Sequence, residues 1–523
     1  ILNKINKLNT ESSDKFLKSI STVGAWTGLS RIFGLIRDIS TTSLLGASVF
    51  HDIFVITLKI PNMFRRFFAE GAFNQAFVPI YADFQKNNDV KETINYLNSI
   101  AGFLITFLFF FSLLVLIFAP IFILIFAPGF YFDPTKKDIA ITTLRIMFPY
   151  LALISLVAFA GGIQNSHGKF SIPAATPMIF NLCLIISAVY VAPKYNMPVY
   201  VLAWGVLLAG FIQLLVQYFP LHTIDRIPRP KLNLDNTGLK KFLKLILPAI
   251  LAGGIIQINL LIDTIFASLL ETGSPTWLYV SDRLIQFPMG IFAIAIGTVL
   301  LPSLSNIDVN NDKVSFIASL QKGQRFVIFI GIPSLIGLFF CAEDLISTIF
   351  FRGEFKVTDV YQSSYSLMAF SFGLPFFMLM KVLTPAFFAR KDTKTPMYVA
   401  LLSLLINATL NYVLAFIFDY GHVGIAIGSS VAALLSVLIL EIILLRDGFI
   451  EIKNPLNRFN FAIMMASSFL ILFLYNFTNK TELISMTQIE RLIYLGFEII
   501  IAISIYFIVA RLVSGKSLIK QFN

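Results

Sequence analysis

Runs of about twenty apolar residues recur from one end of the chain to the other, each long enough to cross the roughly 30 Å hydrocarbon core of a bilayer as a helix. "AGFLITFLFFFSLLVLIFAPIFILIFAPGF", "FAIMMASSFLILFLYNF" and "YLGFEIIIAISIYFIVARLV" are three of them. Lipid offers the backbone no hydrogen-bond partners, so a segment of this kind must close its own ladder as a helix. Only 13% of the residues are charged and 57% are hydrophobic, whereas a soluble domain carries about 25% charged residues. The pattern predicts an all-α polytopic membrane protein with about fourteen transmembrane helices. They are expected near 20–44, 50–82, 97–127, 138–164, 172–192, 197–220, 239–270, 276–305, 322–341, 360–389, 395–418, 421–445, 459–476 and 492–512.

The loops between these spans test their order through the excess of Lys and Arg on the cytoplasmic side. With both termini cytoplasmic, "HTIDRIPRPKLNLDNTGLKKFLK", "ARKDTKT", "LRDGFIEIKNPLNR" and the tail "SGKSLIKQFN" all fall inside and, with the other inner segments, hold most of the 40 Lys and Arg. The formal net charge of +11 is thereby explained by topology, and no nucleic-acid partner is expected. The opening "ILNKINKLNTESSDKFLKS" is polar and basic, and no cleavable signal peptide is expected in it. Cys183 and Cys341 lie far apart in or beside apolar runs and are expected to be packing residues.

The chain repeats itself. "MFPYLALISLVAFAGGIQNSHGKFSIPAATPMIFNLCLIISAVY" is answered by "FSFGLPFFMLMKVLTPAFFARKDTKTPMYVALLSLLINATLNYV", and "AFVPIYADFQKNNDVKE" by "VLLPSLSNIDVNNDKVS", at an offset near 223–226. Residues 20–220 and 237–446 are therefore expected to be two six-helix lobes. An even number of spans precedes each, so the repeats are parallel. The two helices of 459–512 have no counterpart. Paired lobes of this kind suggest alternating access, with a substrate site between them.

Charge inside the spans is the feature that a passive bundle leaves unexplained. One charge at the bilayer centre costs from about 2.5 kcal/mol to roughly 10 kcal/mol or more, depending on the scale. The first span holds Arg31, Arg37 and Asp38 in "GLSRIFGLIRDIS". Six residues separate the two arginines, which sets their directions about 120° apart on a helix. The second span, with "KIPNMFRRFFAEGAFNQAFVPI", holds Asp52, Lys59, Arg65, Arg66 and Glu70. Asp52, Lys59, Arg66 and Glu70 are spaced 7, 7 and 4 apart and would share one α-helical face, with Arg65 beside it. The eighth span adds Asp282 and Arg283, and Phe287-Pro288 there matches Ile60-Pro61. Ion pairs between helices, or snorkelling at span ends, would account for Arg37, Asp38 and Arg66. Arg31, Arg65 and Arg283 read instead as a cationic cavity, since guanidinium groups grip phosphate bidentately and cannot lose their charge.

A lone Asp263 in "NLLIDTIFA" suits either an ion or proton role or a buried hydrogen bond to Asn. The chain has no GxxxxGK[ST] loop, no HExxH and no paired acidic motif for Mg²⁺. His51, His167, His222 and His422 are scattered, at expected loop positions. The expectation is a transporter that is not an enzyme and carries no ATPase of its own.

"SRIFGLIRD", "KIPNMFRRFFAEGAFNQAFVPI", "FPYLALISL", "FSIPAATPMIFN" and "SDRLIQFPMGIFAIAIGTVLLPSLS" resemble the MurJ/MviN lipid II flippases over nearly the whole chain. The resemblance implies a fold of the MOP superfamily in the bacterial inner membrane: two lobes around a cationic cavity, with two further helices forming a groove for a polyprenyl tail. It implies lipid II as substrate, undecaprenyl-diphosphate bearing a disaccharide-pentapeptide, moved from the cytoplasmic to the outer leaflet. The family's cavity arginines fall on Arg31, Arg37, Arg65 and Arg283, and its acidic second-span positions on Asp52 and Glu70, the latter a gate. Gln286 departs from the glutamate of some relatives. The resemblance also implies a sodium site at Asp263, Asn407 and Asn411, with an amide at Asn411 where those relatives are acidic. Membrane lipids and cell-wall synthesis enzymes are the further partners considered. The competing readings are another exporter of the superfamily, of the O-antigen or multidrug type, and a non-transporting scaffold. A drug antiporter would favour an acidic, cation-binding cavity.

Overall fold

The computed structural model describes the backbone of residues 2–87, 89–307, 312–450, 457–478 and 483–515. Side chains are described for the same residues apart from 2–21, 69–72, 74, 249, 251–256, 293–295, 297–299, 301 and 483. Among them every regular element is helical. The chain divides into two compact units, 1–257 and 258–523.

In the first unit, α1 (Leu2–Leu45) leads into α2 (Val49–Arg65), a π-helical turn (Arg66–Glu70) and α3 (Gly71–Asn87). α4 (Val90–Ile117) is followed by the short α5 (Ala119–Phe126) and α6 (Pro128–Phe132). α7 (Pro134–Met147) and α8 (Tyr150–Ser166) then form one bent span, broken where Pro149 lacks the N–H that would continue the ladder. α9 (Ser171–Ile186), ending in a second π turn (Ser187–Val191), and α10 (Pro198–Thr223) complete it.

The second unit has the same order: α11 (Thr237–Leu269), α12 (Ser274–Pro288), a π turn (Met289–Ala293), α13 (Ile294–Ser305), α14 (Lys313–Phe340), α15 (Ala342–Phe350), α16 (Val357–Ala389), α17 (Lys394–Tyr412) with its π turn (Val413–Ile417), and α18 (Gly421–Arg446). Helices α4 and α14 are both 28 residues long and start 223 residues apart, at Val90 and Lys313. Helices α10 and α18, both 26 residues, start at Pro198 and Gly421, again 223 apart. The π turns at Arg66 and Met289 are also 223 apart. This register sets Pro288 opposite Arg65, one turn away from the Pro61 match that the sequence suggests. Two further helices, α19 (Arg458–Thr478) and α20 (Gln488–Ser514), pack on each other and on α14.

The division between units falls inside α11. Its opening turns pack on the first unit: Phe242 meets Phe73 edge-on at 5.6 Å, and a side chain at Gly238 would collide with Phe84 and Tyr96. Its later turns bear Asp263 and Ala267, which pack within the second unit.

Ten helices among the described residues are long and apolar enough to cross a membrane: residues 90–117, 134–166, 171–194, 198–223, 313–340, 357–389, 394–417, 421–446, 458–478 and 488–514. The other four expected spans fall on α1, α2–α3, α11 and α12–α13, the first two of each unit. These four expected spans bear Arg31, Asp52, Arg65, Asp263 and Arg283. Large apolar side chains such as Phe110, Leu215 and Ile500 are more than 60% exposed, the arrangement expected where the solvent is lipid.

Candidate functional site

Helix α1 is held against α9 through Arg37. Its Nε and Nη2 donate to Asp38 Oδ1 at 2.9 and 2.6 Å, and Nη1 donates to Asn181 Oδ1 at 3.0 Å. The guanidinium also lies 5.7 Å from the centre of the Phe180 ring. Asn181 returns the link by donating to the carbonyl of Ser30 at 3.0 Å. Asp38 is 1% exposed and acts electrostatically on the buried His51 of α2. Arg37 thus forms an ion pair within α1 and a hydrogen bond to α9, both internal to the first unit. Arg31, two turns earlier, is exposed and makes no hydrogen bond or ion pair with another described residue.

The charges of α2 grade along its length. Asp52 is wholly buried, Lys59 and Arg66 are exposed, and Arg65 is half-buried. Arg66 donates to Gln257 Oε1 at 3.3 Å. Phe64 anchors this stretch, packing edge-on against Phe111 at 5.1 Å and Phe148 at 5.9 Å. Immediately beyond, the backbone passes into the π turn Arg66–Glu70. A π turn bonds i to i+5 and uses more residues per revolution than an α turn, and such turns concentrate at functional sites. The α-helical spacing of four that would set Glu70 over Arg66 therefore does not apply, and the single face expected for the four charges ends at Arg66. The Glu70 side chain lies outside the described residues. In the second unit Arg283 is half-buried on α12 and Asp282 is exposed; Gln286 donates to Asp282 Oδ2.

Three residues singled out as an ion site come together in the second unit. Asn411 Nδ2 donates both to Asp263 Oδ1 and to Asn407 Oδ1, each at 2.7 Å, and Asn407 Nδ2 donates to Ser429 Oγ at 3.1 Å. Asn407 and Asn411 lie one turn apart on α17, 1% and 0% exposed. Asn411 Oδ1 is buried without a donor among the described residues. It nests against Gly428 of α18, where a Cβ would collide with it. A carboxylate, a carboxamide oxygen and a second carboxamide oxygen lacking a donor form a set of hard ligands that fits a hard cation.

Three expectations change. His51 lies inside α2, His222 in the last turn of α10 and His422 in the first turn of α18, in helices rather than loops, and His51 and His422 are buried. His422 shares its ring nitrogens with Ser366 Oγ at 2.6 Å and Gln362 Oε1 at 3.0 Å, which satisfies a polar ring in an apolar setting. Sequence reasoning also passed over the π turns and Asn181. Between α19 and α20 opens an apolar pocket of about 770 Å³ lined by Phe469, Phe473, Phe477, Tyr494, Ile505 and Val509.

The model of the family described as Lipid II flippase MurJ matches residues 41–494. This chain belongs to that family. A probable lipid II flippase MurJ of Vibrio cholerae is 39% identical over 435 residues, covering 82% of each chain. The lipid II flippase MurJ of Burkholderia cenocepacia is 36% identical, covering 84% of this chain and 86% of its own. Among solved structures, a lipid II flippase MurJ in an inward closed conformation superposes with a TM-score of 0.78 at 28% identity, covering 95% of this chain and 99% of that one. An inward-facing multidrug transporter of the MATE family shares the fold at a TM-score of 0.62 and 12% identity. As a member of the MurJ family with ten or more apolar helices, the chain is a multi-pass protein of the inner membrane.

Proposed function

We propose that this chain moves lipid II from the cytoplasmic to the outer leaflet by alternating access, with both termini in the cytoplasm, as a transporter rather than a catalyst. The observation that carries this reading is the sustained likeness to lipid II flippases along residues 41–494. Arg31, Arg65 and Arg283 hold the diphosphate, the role that fixed, forked cations suit. Arg37, bound to Asp38 and Asn181, positions Arg31 by fastening α1 to α9. The apolar pocket between α19 and α20 takes the polyprenyl tail. Expression of the chain in a strain depleted of its own lipid II flippase tests the reading: growth supports it, and lysis despite correct insertion refutes it.

Glu70 serves as a gate, pairing with arginines in one access state and releasing them in the other, so its loss shifts the balance of states. Glu70→Ala is expected to change labelling, by a membrane-impermeant thiol reagent, of a cysteine placed beside Arg31, while lipid II still protects that cysteine. Identical labelling in the two proteins would remove the gate.

Sodium is the cation that Asp263, Asn407 and Asn411 would hold. Bound there, it would supply positive charge against the intramembrane carboxylate of Asp263, and the amide oxygens of Asn407 and Asn411 would be its other holders. Asp263→Asn is expected to abolish the rise in thermal midpoint that sodium gives over potassium in the purified protein; an unchanged rise would leave Asp263 as a hydrogen-bonding partner of Asn411 alone.

A further inference from the structure

The run "YLGFEIIIAISI" of helix α20 holds a single acidic residue, Glu498, and transport gives it no role. It is wholly buried. Facing it from the first turn of α15 is Asp344, 6% exposed and within hydrogen-bond reach of it. Cys341, which joins α14 to α15, directs its thiol at Glu498 Oε1 over 3.3 Å. Glu498 Oε2 and Asp344 Oδ2 are buried and receive no donor from any described residue. Glu343, half-buried, adds a further acidic group beside Asp344.

Among the described residues, the nearby cations donate to backbone carbonyls. Arg491 donates to the carbonyls of Ser347, Ile484 and Met486 and lies over the Phe351 ring at 4.7 Å. Arg352 donates to the carbonyls of Thr348 and Ile349.

An ionised carboxylate only accepts hydrogen bonds. Two of them meeting in a buried site, with a thiol as the only donor among the described residues, repel each other while each bears the cost of desolvation. A proton removes both penalties. We propose that Asp344 and Glu498 form a proton-binding site, in which one proton bridges the two carboxyls and pins α20 to α15. The bridged pair carries a single negative charge. When the proton leaves to bulk water the pair carries two, and α20 is pushed from α15. Helix α20 supplies Tyr494, Ile505 and Val509 to the apolar pocket, so the shape of that pocket follows the proton.

The sign of the pH effect follows from linkage. The folded chain holds a proton that the unfolded chain gives up, so stability falls as pH rises. The test uses the full chain in lipid nanodiscs. At neutral pH the infrared spectrum of the wild type should contain a carbonyl stretch of a neutral carboxyl that is lost on alkalinisation, and that Glu498→Gln and Asp344→Asn each abolish. The thermal midpoint of the wild type should fall with rising pH, while that of Glu498→Gln should fall distinctly less. If the wild type shows no such titrating band, or if its spectrum and pH-stability profile superimpose on those of both variants, the carboxyls are not a proton site. Should either variant fail to fold, the titrating band of the wild type decides alone: present it supports the site, absent it overturns it.

Discussion

Arg31→Ala, Arg65→Ala and Arg283→Ala should each fail to support growth of a strain depleted of its lipid II flippase, although each protein inserts in normal amount. A diphosphate in a low-dielectric setting needs donors that stay charged and match its oxygens two at a time. Removing one guanidinium takes away charge-assisted hydrogen bonds worth about 1.5–3 kcal/mol each, a loss of roughly tenfold to a hundredfold in affinity for every bond lost. Arg31 is exposed and forms no hydrogen bond or ion pair with another described residue, so its alanine variant has little native packing to lose. Lysine at these positions keeps the charge and forfeits the fork, and should fall between wild type and alanine. Normal growth of all three alanine variants at native expression would refute the diphosphate-binding role.

Arg37→Ala should fail for a different reason. Its guanidinium lies 2.6 Å from a carboxylate that is itself 1% exposed. Breaking a buried pair by removing one partner costs about 3–5 kcal/mol, because the other charge stays behind. The variant should therefore show a lowered thermal midpoint in detergent, which Arg31→Ala should not. Adding Asp38→Asn to Arg37→Ala should recover a large part of the loss by removing the stranded charge. A double variant no more stable than the single one would mean that Arg37 acts by packing against Phe180 rather than by pairing.

The legible part of this molecule is the part written in hydropathy. Ten spans follow from length and apolar content, because lipid demands nothing else of them. The two opening spans of each unit are also apolar runs in the sequence, but they carry charge inside them, at Arg31, Asp52, Arg65, Asp263 and Arg283. The π turns at Arg66 and Met289 were not legible, because an i+5 bond differs from an i+4 bond by one residue of backbone and leaves no mark in composition. The Asp263–Asn411 hydrogen bond was foreseen as an alternative to ion binding, and the structure supplies it at 2.7 Å with a carboxamide oxygen to spare. Asn181 was missed because its partner Arg37 stands 144 residues away and a single Asn in an apolar run gives no warning. Glu498 did give one: an acidic residue alone in an apolar span needs a reason.

The most direct measurement is the fraction of cellular lipid II open to attack by a membrane-impermeant lipid II-cleaving enzyme added outside flippase-depleted cells that express this chain. Lipid II should be cleaved in cells carrying the wild type and spared in cells carrying Arg65→Ala. Equal cleavage with wild type, Arg65→Ala and no flippase at all would contradict the account.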